Sequence, residues 1–450
     1  MKNLFKYVIF MAVAGLCFNV QAKPEEKEKE PSTYELLNLF GEVMERTKAN
    51  YVEETSDKKL IESALNGMLS SLDPHSSFMD AKSYRYMNEQ TKGKFGGLGI
   101  EVTMENGVVK VVSPIDDTPA ARIGIKAGDY ITDIDGEAVL GQTLNEAVNK
   151  MRGKVGTKVK LMISRAGEKP FEVTIKREEI KIQSVKGEVK NEDISYIRVS
   201  SFTEDVAENV KKAFEKAKKE TKGKVRGIVL DLRNNPGGLL DQAVDLSDLF
   251  LNRGEIVSTR SRDEEDTIKF SAKEGDITDG LPIVVLINEG SASASEIVAG
   301  ALQDHHRAIL LGEKSFGKGS VQTIIPLGQY GAMRITTARY YTPSGRSIQA
   351  KGIEPDILVK PAKIELIDSY YNVSEANLSN ALKNEQKDAK KKDEKDDKKD
   401  KDKDQKKEDD TKDYQLVRAL DLVKALNLYG SEMTMFEDKS KTDKEEKKDK

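Results

Sequence analysis

The sequence predicts an α+β multidomain protein whose largest region is α/β. Two apolar runs, Val225–Leu232 and Ile283–Ile287, each end in a turn of small residues and lead into a helical pattern, which marks βα units and a sheet covered by helices. Between Lys94 and Glu178 the pattern changes to short alternating runs around two small helical stretches, as in a compact inserted module. Tyr34–Val52 and Leu60–Leu69 instead carry apolar residues at helical spacing.

In chain order, residues 1–22 read as an export signal. Lys2 and Lys6 form its basic end, Tyr7–Phe18 its apolar stretch and Val20-Gln21-Ala22 its exit site. As a helix that stretch would cover about 18 Å, short of a hydrocarbon core of about 30 Å, so the expectation is export with cleavage near Ala22. Membrane association would follow only if the signal were retained or Cys17 lipidated, and Leu16 stands where a lipidation site has a small residue. Residues 23–33 are a charged, proline-containing linker. Residues 34–91 are a helical region in which Leu36, Leu37, Phe40, Val43 and Met44 form one apolar face, Asp57 caps a second helix, and Leu72–Met79 is a turn-rich connector.

Residues 92–178 are the inserted module. Expected strands are Ile100–Val102, Val108–Val112, Tyr130–Ile134, Lys158–Arg165 and Phe171–Arg177, with helical segments at Pro119–Gly124 and Leu144–Met151. Residues 179–376 form the α/β region: a strand at Ile194–Val199, an amphipathic helix at Val206–Lys219, and the two βα units above. Pro282 is tolerated because it stands at the very start of its strand. Residues 377–413 are expected to be a disordered linker, because 26 of the 31 residues from Lys383 to Asp413 are charged, 13 of each sign. Residues 414–429 form an amphipathic helix able to dock on its own chain or on a partner, and 430–450 a charged tail.

Composition narrows the chemistry. With 73 basic and 77 acidic side chains, a net charge of -4, no global field draws the protein to nucleic acid or anionic lipid. Cys17 is the only cysteine, so the mature chain has no disulfide, thiol nucleophile or thiolate metal site. His75 follows Pro74 in a turn, and His305-His306 reads as a helix end whose neighbouring side chains diverge; neither suggests a base or a metal site.

Ser291, Ser293 and Ser295 stand where a strand turns into a helix, and spacing does not choose among them. A serine hydroxyl becomes a nucleophile only beside a proton acceptor. Lys318, between Gly317 and Gly319 with Phe316, Val321, Ile324 and Ile325 close in sequence, can serve if burial keeps it neutral. Lys314, beside Glu313, reads as a solvated cation. Gly312 and Gly317-Lys318 have the spacing of a phosphate-binding loop, but Gly319 replaces the required Ser or Thr and a strand-like run follows, which argues against nucleotide. Backbone amides near Ser293 and Ala294, and in the turn Asn235-Pro236-Gly237-Gly238, are candidate oxyanion donors.

Five ordered stretches carry a family resemblance: Leu72-Asp73-Pro74-His75-Ser76, Gly96-Gly97-Leu98-Gly99-Ile100, Asp231-Leu232-Arg233-Asn234-Asn235-Pro236-Gly237-Gly238, Gly290–Glu296 and Phe316–Gln322. Across Tyr34–Ile357 the chain resembles the carboxyl-terminal processing proteases, tail-specific serine peptidases with a PDZ domain. The resemblance implies a crotonase/ClpP-like peptidase core with an inserted PDZ domain. It assigns Ser293 as nucleophile, Lys318 as general base, Gln322 as the residue orienting the lysine, and the amides of Ala294 and one glycine of the Gly237-Gly238 pair, Gly237 first, as oxyanion donors. Ser291 and Ser295 become turn and helix-cap groups. Gly97, Leu98, Gly99 and Ile100 become the loop that receives a substrate carboxylate. No metal or cofactor is implied; the expected partners are exported proteins or peptides with accessible C-termini, met in a periplasm or cell envelope. A homodimer would bury the apolar helix faces. The alternatives are a PDZ scaffold or adaptor without peptidase activity and a crotonase-like acyl-CoA enzyme; the export signal and the PDZ module disfavour the latter.

Overall fold

The computed structural model describes residues 31–115, 117–364 and 413–445, with backbone alone at 145, 264 and 430–445. The expected export segment, Cys17 and most of the 377–413 linker lie outside the described residues. The chain divides into two units, 1–68 and 69–450.

In the first unit, helix α1 (Thr33–Asn50) opens with a capping box. Ser32 N–H donates to Glu35 Oε2 (2.7 Å) and Glu35 N–H to Ser32 Oγ (3.4 Å). Lys48 in its last turn meets Asp57 (2.7 Å), the first residue of helix α2 (Asp57–Ser70), and closes a helical hairpin. Leu36, Leu37, Phe40 and Val43 of α1 are all exposed.

The second unit begins with strand β1 (Ser77–Met79) and helix α3 (Ala81–Lys92). Asp80 caps α3 by accepting from Ser83 N–H (2.7 Å), and Gly93 ends it at φ +66°. The inserted module follows: β2 (Lys94–Gly97), β3 (Ile100–Glu105), β4 (Val108–Pro114), α4 (Pro119–Arg122), β5 (Tyr130–Ile134), β6 (Glu137–Ala138), α5 (Leu144–Met151), β7 (Lys158–Ser164), β8 (Phe171–Lys176) and β9 (Glu178–Lys181). Its antiparallel sheet runs β3-β4-β5-β7-β8 with β6 on β5, while β2 and β9 pair where the chain enters and leaves. Val109, Val111, Ile131, Leu161 and Ile163 are fully buried at its centre, each contributing roughly 1.5–3 kcal/mol of hydrophobic stabilisation. Arg177 reaches across to donate to the carbonyls of Met151 (2.9 Å) and Lys150 (2.7 Å), satisfying oxygens that the end of α5 leaves open.

The remaining region contains β10 (Val185–Lys190), β11 (Ile194–Val199), α6 (Val206–Glu220), β12 (Gly227–Asp231), α7 (Leu240–Asp248), β13 (Glu255–Arg260), β14 (Ile268–Ser271), β15 (Ile283–Ile287), α8 (Ala294–Asp304), β16 (Ile309–Gly312), β17 (Ser320–Pro326), β18 (Ala332–Tyr341), β19 (Ile357–Leu358) and α9 (Tyr414–Glu445). The main sheet runs β10-β11-β12-β15-β16-β19 and is parallel apart from β10. Every residue of β12 and β15 is buried, because both faces of the sheet are covered. Val210, Phe214, Leu246 and Val298 of α6, α7 and α8 lie with Ile228 and Val285 in one core, and Leu416, Ala419, Leu420 and Val423 of α9 cover Val229, Val284 and Leu286 in the other.

The terminal helix therefore docks on its own chain. Asp413 holds Arg233 through two hydrogen bonds (2.7 and 2.9 Å) at the end of β12, and Gln415 donates to Val359 O (2.7 Å). The helix continues to Glu445, beyond the 429 limit expected from the apolar pattern; no proline interrupts this stretch. A second, antiparallel sheet, β1-β18-β13-β14 with β17 on β18, stands beside the main one. The parallel pairing of β12 with β15 sets Asp231 opposite Leu286, so the turns leaving these two strands are neighbours.

Candidate active site

The turn after β15 delivers Ser293 to the N-terminus of α8 with φ 56° and ψ −111°. A non-glycine residue so placed costs of order 1–3 kcal/mol, which the surroundings must hold in place. Ser291 donates its hydroxyl to Leu232 O (2.8 Å), and Ser295 donates to Asn235 O (3.0 Å). Both flanking serines are thus spent on tying the Ser293 turn to the segment after β12. Ser293 remains, with 7% of its surface exposed.

The fully buried Asn235 organises that neighbouring segment. Its side-chain amide donates to Val199 O (2.8 Å), and its backbone carbonyl accepts from Ala292 N–H (2.9 Å). Gly237 lies so close that a Cβ there would stand 2.9 Å from Ser293 Cβ and 2.8 Å from Ala292 O. The Gly237 N–H, however, points back into its own loop and donates to Asn235 Oδ1 (2.9 Å). The amides of Gly238 and Ala294 have no hydrogen-bond partner among the described residues. A cleft of about 500 Å³ is lined by Gly237 and Gly238, with Met87, Ile182, Phe202, Leu239 and Ile324 among its apolar walls and Gln322 also lining it.

Lys318 follows Gly317, whose φ of 93° lets the loop turn beneath α8. Glu296, one turn into α8 and fully buried, holds the two loops together. Its Oε2 accepts from Ser293 N–H (2.8 Å) and Lys318 N–H (2.9 Å), and its Oε1 accepts from Gly317 N–H (2.6 Å) and Ser315 Oγ (2.5 Å). Burial pushes its pKa up, and these four donors oppose that push. In the sequence Glu296 is only the last residue of the Gly290–Glu296 stretch, with no role of its own; the fold makes it the anchor of both loops.

The Lys318 side chain is half-buried. Burial first, and then the Arg334 guanidinium, hold its amine below the ordinary lysine range, while Glu296 and Asp73 pull the other way. Its Nζ donates to Gln322 Oε1 on β17, and among the described residues it has no hydrogen bond to Ser293 Oγ. Lys314 is a half-exposed partner of Glu354 (2.7 Å), in keeping with its reading as a surface cation. His75 lies near Lys318, and burial holds its imidazole below the usual range, with the lysine charge adding to the effect. His305 Nε2 is bonded to Glu255 O (2.7 Å), far from any such role. Among the described residues no cluster of His, Cys, Asp or Glu has metal-holding geometry.

In the inserted module, Gly97, Leu98, Gly99 and Ile100 line a separate small cavity of about 60 Å³. The Leu98 and Gly99 amides have no partner among the described residues. Gly99 adopts φ +76°, and a Cβ there would meet the Thr118 side chain at 2.2 Å, so the loop depends on glycine. Arg152 lines the same cavity. Its guanidinium stacks on Phe95 (4.0 Å to the ring centre), and Nη1 is buried without a partner, a feature the sequence did not single out.

Residues 193–359 match the model for Peptidase family S41, residues 96–176 that for the PDZ domain, and residues 8–83 that for the activating protease CtpB N-terminal domain. The chain is 54% identical over 391 residues to the carboxy-terminal-processing protease of Bartonella bacilliformis, covering 85% of this chain and 90% of that one. It is 36% identical over 356 residues to the carboxy-terminal processing protease CtpA of Bacillus subtilis, covering 78% and 75%. Among solved structures, the photosystem II D1 C-terminal processing protease is similar at 29% identity and a TM-score of 0.43, covering 72% of this chain and 92% of that one. With half of all positions shared across nine-tenths of a curated relative, the chain belongs to peptidase family S41, among its PDZ-bearing carboxy-terminal processing serine proteases.

Proposed function

We propose that this peptidase cleaves exported proteins near their C-termini through Ser293 and Lys318. Neutral Lys318 takes the proton of Ser293 Oγ as that oxygen adds to a peptide carbonyl. The carbonyl π-electrons move to oxygen, and the resulting oxyanion is held by the Ala294 and Gly238 amides. Gly238 takes the place expected for Gly237, because the Gly237 N–H is already committed to Asn235. Lys318 returns the proton to the leaving amine, and a water deprotonated by the same lysine releases the acyl group. General-base contacts in substrate-free enzymes often close only when substrate is bound, which fits a lysine now engaged with Gln322.

One observation carries this reading: Glu296 binds the backbone amides of both Ser293 and Lys318 on a single carboxylate oxygen. The free Leu98 and Gly99 amides beside the unpaired Arg152 guanidinium suit a substrate C-terminal carboxylate, with the chain added beside the module's sheet. The parallel run β11-β12-β15-β16, with site loops at its strand ends, supports a crotonase/ClpP-like core. The basic-apolar-small order of residues 1–22 supports export to a periplasm or cell envelope, with membrane association only through a retained or lipidated signal. The exposed face of α1 supports a homodimer. No cofactor enters the reaction.

The test is cleavage of an unfolded protein with a free apolar C-terminus. Wild type should cut it and Ser293→Ala should not, while the variant still binds the tail. Equal cleavage by both proteins would remove Ser293 from the reaction.

A further inference from the structure

The turn Asp73–Ser77 reads in the sequence as a connector, yet in the fold it lies behind the catalytic lysine. Strand β1 pairs with β18, setting Ser77 opposite Arg334 and bringing Thr336 alongside the turn. Asp73 Oδ1 accepts from His75 N–H (2.8 Å), Ser76 N–H (3.0 Å) and Thr336 Oγ1 (3.1 Å). Its Oδ2 accepts from Ser76 Oγ (2.6 Å), which in turn accepts from Thr336 N–H (3.2 Å). Partial burial works against the charge on Asp73, but the hydrogen bonds from Ser76, His75 and Thr336 hold its carboxyl below the usual range. At neutral pH it is an acceptor only.

This fixes a direction of hydrogen bonding that reaches the active site. Thr336 spends its one hydroxyl proton on Asp73, so towards Gln322 it offers only lone pairs. Gln322 must then present its amide nitrogen, Nε2, which donates to Thr336 Oγ1 (3.3 Å) and to Ser320 Oγ (2.9 Å). Ser320 alone would not decide the matter, since its hydroxyl can donate or accept. With Nε2 committed, Oε1 faces Lys318 and accepts one of its N–H bonds. Were the amide reversed, its NH2 would face a neutral lysine and occupy the lone pair that Ser293 needs.

We infer that Asp73, acting through Thr336, is a positioning residue that locks the Gln322 amide so that Lys318 keeps its lone pair free for the serine proton. The inference rests on the reading of Lys318 as the general base.

The experiment measures kcat and KM on a tailed substrate for a small set of variants, each checked for folding by thermal melting. Thr336→Val keeps the shape and removes the hydroxyl; kcat should fall by about 10- to 100-fold with KM unchanged, a part of what general-base catalysis supplies. Thr336→Ser should restore kcat. Asp73→Ala should lower it to a similar degree, and combining Asp73→Ala with Thr336→Val should cost little more than either alone, because both break one chain. Thr337→Val is the control: its exposed hydroxyl meets only that of Thr323 (2.7 Å), and activity should persist. Should valine at 336 prevent folding, Thr336→Ala repeats the measurement. A Thr336→Val enzyme with wild-type kcat, a loss that appears in KM alone, or a failure of serine to rescue would overturn the inference. Lys318→Met separates the two readings: an active Lys318→Met enzyme refutes the base itself, whereas an inactive one beside a fully active Thr336→Val enzyme refutes only the positioning chain.

Discussion

Replacing Glu296 with glutamine tests whether one buried carboxylate holds the serine and lysine loops in register. The native side chain takes four donors on two oxygens, three of them backbone N–H groups. Glutamine keeps the shape but turns one oxygen into an NH2 group, so one end must face donors with a donor. The cheaper orientation sets NH2 towards Ser315, whose hydroxyl can turn and accept, and leaves Gly317 N–H unpaired. One buried unpaired N–H costs about 1–3 kcal/mol; the reverse orientation strands the Ser293 and Lys318 amides and costs about twice that. Glu296→Gln should therefore lose roughly 1–3 kcal/mol in urea unfolding at pH 7. It also removes an anion that favours charged Lys318, so the amine's pKa should fall further. On the proposed mechanism activity needs the neutral amine, so the acidic limb of the kcat–pH profile should move to lower pH. A variant as stable as wild type with an unmoved limb, or a limb moved to higher pH, would refute the role given to Glu296.

Two further outcomes follow from the same charges. The folded-state pKa of Lys318 lies below the ordinary lysine value of 10.5, so between those two values the unfolded chain binds the extra proton and stability rises with pH. Lys318→Met should therefore be inactive yet more stable than wild type at pH 7, with the gain shrinking as pH climbs through the lysine range, as urea curves at both ends would report. In the PDZ module, Arg152→Met should raise KM about tenfold for peptides with a free C-terminal carboxylate and leave C-terminally amidated peptides unaffected, since a charge-assisted hydrogen bond contributes roughly 1.5–3 kcal/mol. Equal effects on both peptide types would show that Arg152 does not face the carboxylate.

What could be read in the sequence follows from where burial is local. Strands β12 and β15 are buried on both faces, so they stand out as continuous apolar runs, and the small residues after them mark the loops that carry the site. Helix α3 has no buried residue and a strongly polar sequence, so no apolar run marks it. Strand β18 is mostly half-exposed, and its partners include β1, far away in the chain, so nothing nearby announces the pairing. The choice between the Gly237 and Gly238 amides turns on where one asparagine side chain points, which no spacing rule contains. In the sequence Glu296 has no role of its own and Asp73 is part of a turn-rich connector; the contacts of both depend on donors that tertiary folding brings from other loops. The docking of α9 was open in the sequence because an amphipathic face does not name its partner. Val229, Val284 and Leu286 supply it.

The charges around Lys318 suit the base role proposed for it. A lysine buried with no anion nearby would stay neutral but would gain little by accepting a proton, and one paired closely with a carboxylate would hold its proton too firmly to act as a base. Burial and Arg334 depress this amine, while Glu296 and Asp73, both anchored by their own hydrogen bonds, limit the depression. Neither carboxylate is hydrogen-bonded to Nζ; Glu296 is turned to the backbone and Asp73 acts across Thr336 and Gln322. In the proposed reaction the anions stabilise the ammonium formed when Ser293 gives up its proton, yet the direct acceptor is a neutral amide, which does not lock that proton in place. Placing a further negative charge in contact with Nζ, as a Gln322→Glu replacement would do, should raise the lysine pKa and shift the acidic limb of the kcat–pH profile to higher pH, opposite in sign to the Glu296→Gln shift.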